Sequence, residues 1–260
     1  MKNQILKIVK IGGNVINNED ALRSFLKDFA ALEGPKILVH GGGRKASEVS
    51  AAMGLEPKMI NGRRVTDEAT VEVVTMVYAG LLNKKIIANL QSFGCNAMGL
   101  SGADANCILA HKRIVKDIDY GFAGDVDAIN SEIIGVLIKN NVTPVFCAIT
   151  HDKNGQLLNT NADTIASEVA IGMSNLYKTE LNFVFELKGV LEDIEDKNSV
   201  IEQINSEKYE QLVVKGVIAD GMLPKMHNCF NSLEKGVDKV KIGDASLVKS
   251  STKLYTTLSL

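Results

Sequence analysis

Along this chain, short runs of aliphatic and β-branched residues alternate with longer segments whose apolar positions follow a helical spacing, and that alternation restricts the fold more than any other feature. The strand-like runs are Ile5–Ile11, Lys36–His40, Cys95–Leu100, Thr143–Ile149, Asn182–Leu187 and Val237–Ile242. Between the first two, Glu19–Leu32 sets Leu22, Phe25, Leu26, Phe29 and Ala30 on one stripe, the pattern of an amphipathic helix. Thr66–Phe93 opens on Thr-Asp-Glu, a helix-start signal, and carries a long apolar periodicity behind it. Helices that cross between successive strands make those strands parallel and cover the sheet on both faces. An α/β architecture with a largely parallel sheet is therefore expected.

Two stretches depart from the alternation. Ile108–Val115 and the following "KDIDYGFAGDVDAIN" pattern as short antiparallel strands joined by glycine turns, a hairpin flap beside the sheet. "NGRRVT", Asn61–Thr66, has an Asn-Gly turn between Lys58–Ile60 and Arg64–Val65, a second small hairpin. With 260 residues, no internal repeat and no low-complexity linker, the chain is expected to form one domain with two lobes.

The net charge of −2 offers no basic excess for nucleic acid. No apolar run approaches the ~18 residues of a membrane span, and "MKNQILKIVKIGG" alternates polar with apolar instead of holding the apolar centre of a signal peptide. Cys95, Cys107, Cys147 and Cys229 form no CxxC pair, and His40, His111, His151 and His227 have no metal-ligand spacing. These features predict a cytoplasmic protein that acts on small molecules, with neither nucleic acid nor membrane among its partners.

Four motifs carry chemistry. In "KIVKIGGN", Lys7–Asn14, Lys10 ends a strand and Gly12-Gly13 turns the backbone before a helix. Open α/β sheets bind ligands at the carboxyl ends of strands, which places this ammonium for an anion; read alone, a solvated lysine beside an ordinary turn accounts for it better. "VHGGGRKASE", Val39–Glu48, satisfies G-x-G-x-x-A behind a strand. A dinucleotide site also requires an acidic residue about 20 positions on, where this chain has the base-rich "EPKMINGRRVTDE". An oxyanion-hole reading requires a G-x-S-x-G elbow and a Walker A loop a Gly-Lys pair, and the chain has neither. What is left is a glycine turn whose amides bind an anion, or a purely structural turn. "NTNADTIASEVA", Asn159–Ala170, offers Asn159 or Asn161 as a helix cap and Asp163 in the first turn. A cap explains one polar residue, and so close a cluster reads better as facing a site. "VIADGMLPKMHNC", Val217–Cys229, turns at Asp220-Gly221-Met222 into a helix with Pro224 near its start. It puts Lys225 in the first turn, where the helix dipole disfavours a cation and a bound anion would compensate it.

In order and spacing these motifs resemble those of the acetylglutamate kinases, within the amino acid kinase family. The resemblance spans almost the whole chain: K-I-G-G at Lys10–Gly13, H-G-G-G at His40–Gly43, N-G-x-R-V-T at Asn61–Thr66, G-x-x-G-D at Gly121–Asp125, N-x-N-A-D at Asn159–Asp163 and D-G-M-x-x-K at Asp220–Lys225. It implies a three-layer α/β/α sandwich around a mainly parallel, roughly eight-stranded sheet. An N-terminal lobe of about residues 1–175 would hold the acylated amino acid, and a C-terminal lobe of about 176–260 would hold ATP. The implied reaction moves the γ-phosphoryl group of MgATP to the side-chain carboxylate of N-acetyl-L-glutamate, the second step of arginine biosynthesis. No residue set is assigned to bind metal directly, because Mg2+ is carried by the nucleotide.

Residue roles follow from the same resemblance. Lys10 would lie on the acyl-phosphate side and Lys225 on the nucleotide side, with Asp163 holding both ammonium groups. Gly12, Gly13 and Gly43 would donate N–H groups to the phosphoryl oxygens. Gly42, Gly43, Arg64 and Asn159 would bind the substrate, Arg64 forking onto its α-carboxylate. Lys10, Gly12, Glu186, Leu187, Lys188, Gly189, Val190 and Leu191, with Val217, Ile218 and Ala219, would line the nucleotide.

The chain departs from the family pattern twice. Phe185-Glu186 stands where a Thr-Asp pair is usual, and Arg44-Lys45 brings two cations next to the substrate loop. Those two cations are expected to pair with Glu48 or sit in solvent. The alternative is that one of them reads an extra carboxylate, which would make N-succinyl-L-glutamate the substrate; a non-catalytic sensor on the same fold is a further alternative. Nine residues precede Lys10, too few for the N-terminal helix that interlaces arginine-inhibited relatives into hexamers. A homodimer paired through Thr66–Phe93, with little arginine inhibition, is expected.

Overall fold

The computed structural model describes residues 2–260 apart from Asn61, Lys116, Asp220, Gly221, Ser250 and Lys253, and the backbone alone at Pro224. The Asn61 position of the Asn-Gly turn and the Asp220-Gly221 turn thus lie outside the described residues. Strand β1 (Ile5–Ile11) leads through α1 (Gly13–Ile16) and α2 (Glu19–Ala31) to β2 (Lys36–His40) and α3 (Gly43–Ala52). The hairpin β3 (Met59–Ile60) and β4 (Arg63–Arg64) precedes α4 (Glu68–Thr75), a π-helical turn at Met76–Leu82, and α5 (Asn83–Ser92). Next come β5 (Ala97–Leu100), β6 (Ile108–Lys112), β7 (Gly124–Ile129), α6 (Ser131–Lys139), β8 (Thr143–Cys147), β9 (Ile149–His151) and β10 (Leu157–Asn159). The chain closes with α7 (Ala162–Met173), β11 (Lys178–Val184), β12 (Gln203–Ile204), α8 (Ser206–Val214), α9 (Leu223–Glu234), β13 (Lys239–Gly243) and β14 (Thr256–Leu258).

Among the described residues the main sheet has eight strands in the order β12-β14-β13-β11-β1-β2-β8-β5, antiparallel only between β13 and β14. Every residue of β2 is buried, as a central strand covered on both faces demands. Against this sheet α2 buries Leu22, Phe25, Leu26 and Phe29, each worth about 1.5–3 kcal/mol of removed apolar surface. The Asn18 side chain starts that helix by accepting the Ala21 N–H at 2.9 Å. Lys36 ends it, donating from Nζ to the Ala30 and Leu32 carbonyls at 2.7 and 2.6 Å.

The expected run Thr143–Ile149 divides at Ala148: β8 stays in the main sheet, and β9 leaves it to join a four-stranded flap of order β10-β9-β6-β7. The run expected at Asn182–Leu187 is shifted. β11 starts at Lys178 and ends at Val184, because beyond Phe185, whose N–H bonds the Gly243 carbonyl at 2.8 Å, the chain turns across the sheet's carboxyl edge. The flap is clasped to the segment after β4: the Thr66 N–H donates to the Tyr120 carbonyl at 2.9 Å, and Phe122 N–H to the Thr66 carbonyl at 2.6 Å. Gly121 has φ 67°, and a Cβ there would collide with the Thr66 carbonyl, so the first glycine of the G-x-x-G-D motif is required by this contact.

Candidate active site

Two cavities open at the carboxyl ends of β1, β2 and β11. The first, about 300 Å³, is lined by residues between Lys10 and Asp163, among them Gly41, Gly42, Gly43, Arg64, Tyr78 and Asn159. The second, about 340 Å³, is lined by Gly12, Asn14, Phe185, Glu186, Met222 and Lys225 among others. Lys10, Gly13 and Asp163 line both. The Lys10 ammonium pairs with Asp163 Oδ1 at 2.7 Å, with both side chains largely buried. Asp163 is set by α7, whose N-cap Asn161 accepts the Asp163 N–H at 2.7 Å; the helix dipole favours a carboxylate in that first turn.

In the first cavity Arg64 is 7% exposed. Its Nη2 donates to the Gly43 carbonyl and to Ser47 Oγ, both at 2.8 Å, while its buried Nη1 has no hydrogen-bond partner among the described residues. A guanidinium held at one nitrogen and left open at the other is prepared for an anion. Tyr78, 4% exposed, stands beside it; burial raises the pKa of its phenol, against the opposing Arg64 charge. Across the cavity Asn159 donates from Nδ2 to Thr66 Oγ1 at 3.0 Å, and Arg113, on the flap side, forks onto Asp125 and holds its carboxyl below the usual carboxylate range.

The glycine loop between β2 and α3 is braced from behind. A Cβ on Gly42 would collide with Leu82 and approach a Tyr78 ring carbon to 2.9 Å, so the π-helical turn and the loop touch without side-chain clearance. His40 is fully buried. Its Nε2 lies 3.1 Å from Asn83 Nδ2 and its Nδ1 2.8 Å from the Gly41 carbonyl. Burial pushes its pKa down to about 4. The neutral ring therefore accepts from Asn83 and donates from Nδ1 to the loop.

In the second cavity Lys225 is the third residue of α9. Its ammonium lies 4.3 Å from the Phe185 ring centroid, and that of Lys10 lies 5.7 Å from it.

The sequence matches the amino acid kinase family over residues 6–244. The chain belongs to the amino acid kinase family. It is 54% identical to an acetylglutamate kinase of Cytophaga hutchinsonii over 95% of this chain and 94% of that one. It is 37% identical to one of Methanopyrus kandleri over 89% and 92%. In fold it is similar to an N-acetylglutamate synthase of Neisseria gonorrhoeae crystallised with coenzyme A and N-acetyl-glutamate, at TM-score 0.82, 18% identity, and coverage of 100% of this chain and 60% of that one. A carbamate kinase of Giardia lamblia bound to AMP-PNP aligns at TM-score 0.67 and 16% identity, over 99% and 98%.

Within this amino acid kinase fold, Gly42, Gly43, Arg64 and Asn159 line the first cavity and Glu186, Leu187 and Gly189 the second. Lys188, Val190, Leu191, Val217, Ile218 and Ala219 stand outside that second wall. Lys188 turns onto Asn198 at 2.8 Å, and Val190, Leu191 and Ile218 belong to the core.

Two expected roles are corrected. The Gly12 N–H donates to the Val184 carbonyl at 3.1 Å, so it is not free for a phosphoryl oxygen, whereas Gly13 and Gly43 open α1 and α3, where N–H groups have no intrahelical acceptor. Asp163 pairs with Lys10, not with both lysines; the ammonium of Lys225 faces the Phe185 ring instead. Arg44 and Lys45 point away from the cavity and pair with Glu48 at 3.5 and 3.1 Å on the surface of α3. Sequence reasoning missed Tyr78, Ser47 and Thr66, which carry ordinary helix and turn signals, and the ring of Phe185.

Proposed function

We propose that this chain phosphorylates the side-chain carboxylate of N-acetyl-L-glutamate with MgATP, the acetylglutamate kinase reaction of arginine biosynthesis. The observation that carries the reading is the pair of cavities meeting at Lys10, Gly13 and Asp163, with Arg64 open in one and Lys225 in the other. The first cavity takes the acyl-amino acid, its α-carboxylate on Arg64 and its side-chain carboxylate pointing at Lys10. The second takes ATP, its Mg2+ carried on the phosphates. This division supports an acyl-amino acid lobe of about residues 1–175 and a nucleotide lobe of about 176–260.

A carboxylate oxygen forms a bond to the γ-phosphorus, the bond from that phosphorus to the β–γ bridging oxygen breaks, and ADP leaves with the electron pair. The nucleophile is already an anion, so no base is required. The obstacle is repulsion between two anions and charge spread over the equatorial oxygens, which fixed cations and amides offset. Lys10 and Lys225 supply the positive charge. The Gly13 and Gly43 N–H groups meet the phosphoryl oxygens, and Asp163 fixes Lys10 in line. Replacing either lysine with Ala removes a charge donor of the transition state.

Purified protein with ATP, Mg2+, N-acetyl-L-glutamate and hydroxylamine is expected to form a hydroxamate, the trapped acyl phosphate. No hydroxamate would favour a sensor without catalysis. N-succinyl-L-glutamate is a second reading, favoured by Arg63, which lines the first cavity and makes no ion pair among the described residues; a higher kcat/KM for the succinyl compound in the same assay would select it.

The reading includes a homodimer paired through the 66–93 helical run. Exposed Met76 and Leu81 on the π-helical turn, and Met98 on the edge strand β5, support that surface. Use of ATP and four unpaired cysteines suit the cytoplasm.

A further inference from the structure

The two lysines of the site are anchored in different ways. Lys10 has a carboxylate, Asp163 at 2.7 Å. Lys225 makes no ion pair among the described residues, and its ammonium stands 4.3 Å from the centroid of Phe185. That ring is itself fixed. The Phe185 N–H is bonded to the Gly243 carbonyl at 2.8 Å, and the ring lies parallel to that of Phe183, 5.8 Å away at 5°. Phe183, 2% exposed, shares a sheet face with Phe185 by the two-residue period of a strand, and it is the register partner of Lys10 on β1.

Resting on the kinase reading above, we infer that Phe185 is a positioning residue: its ring holds the Lys225 ammonium at the nucleotide cavity without neutralising it. A carboxylate in that place would cancel much of the charge the lysine has to deliver. An aromatic face attracts a cation through its quadrupole and carries no net charge. Lys225 is thus kept near a like-charged lysine, only 5.7 Å from the same centroid on its own account, and retains its full charge for the phosphate oxygens. The single carboxylate of the centre serves Lys10, the ring serves Lys225, and the pair reaches the transferring group with one net positive charge instead of none.

The test replaces Phe185 with 4-fluoro-, 3,5-difluoro- and 3,4,5-trifluorophenylalanine, which weaken the quadrupole stepwise at nearly constant shape, beside Phe185→Leu and Phe185→Trp. At saturating N-acetyl-L-glutamate, kcat/KM for MgATP is expected to fall stepwise, reaching about fivefold at the trifluoro ring and at leucine, with tryptophan restoring activity and Tm constant across the fluorinated set. A flat series in folded protein, or full activity with leucine, would overturn the inference. A second readout does not use turnover. In protein whose lysines carry 13C-methyl groups, the Lys225 resonance, assigned by its loss in Lys225→Arg, is expected to be shifted upfield by the ring and to return to its ordinary position in Phe185→Leu. An unshifted resonance sinks the placement even if the enzyme is active, whereas a shifted one with no hydroxamate in the unmodified protein leaves the placement standing and removes the kinase reading.

Discussion

Arg64 shows how much one side chain decides. Its guanidinium is tied to Gly43 and Ser47 through Nη2 and presents a buried, unpartnered Nη1. Arg64→Lys keeps the charge and loses the planar fork, and a single ammonium cannot serve the loop and a carboxylate together. The expected result is a rise in KM for N-acetyl-L-glutamate of about tenfold or more with a smaller change in kcat, measured by steady-state kinetics; an unchanged KM would place the α-carboxylate elsewhere. At this scale Lys10, Asp163 and Lys225 stood out because each sits in a short motif at a strand end or helix start, whereas Arg64 was named through the family resemblance alone. Ser47 and Tyr78 were not, since a serine in α3 and a tyrosine in an apolar helical stripe look like any other until the fold brings them to Arg64. The Gly12 amide was misassigned for a related reason: a Gly-Gly turn advertises two free N–H groups, and the neighbouring strand that takes one of them is far away in sequence.

At the scale of elements, the glycine loop depends on β2 and on the helical run behind it. His40 couples them, and its depressed pKa makes that coupling sensitive to acid. The folded state holds the ring neutral down to about pH 4, whereas an unfolded chain protonates near the ordinary value of 6.5. Between those values the unfolded state binds more protons, so this stabilisation is fully present above pH 6.5 and is lost as pH falls towards 4. The expected loss is about 3 kcal/mol, read from denaturation at successive pH values. His40→Gln keeps an acceptor for Asn83 and removes the titration, so the slope over that window should flatten; equal slopes would show that another group is responsible. Strands β1 and β2 were legible to the residue because both are apolar runs bounded by glycine or proline. The end of β11 was not, since apolarity continues through Phe185 into a turn that binds β13 instead of extending the strand. Likewise the periodicity of 66–93 announced a helix and concealed its π turn, which changes the local winding without changing composition.

For the molecule as a whole, the eight-stranded sheet ends at β5, whose outer edge pairs with no strand among the described residues, beside helices that leave Met76 and Leu81 exposed. Light scattering is expected to give twice the 28.1 kDa of the chain, falling to one chain's mass on Leu81→Glu; a larger assembly, or no change with that substitution, would move the interface elsewhere. The parallel architecture was legible from the alternation of patterns, and the flap from its glycine turns. The meeting of distant segments in one centre followed from the family resemblance alone, because nothing local in 10–13, 41–43, 159–163 or 185–189 fixes their mutual approach.

The two cavities have three residues in common and all their other walls separate. Selection on substrate choice can therefore act on Arg63, Arg113 and Tyr120 in one chamber, and on Ile242 in the other, while Lys10, Gly13 and Asp163 stay as they are. A lineage could change what it phosphorylates, or which nucleotide it prefers, by independent steps, each tolerable by itself because neither disturbs the machinery of transfer.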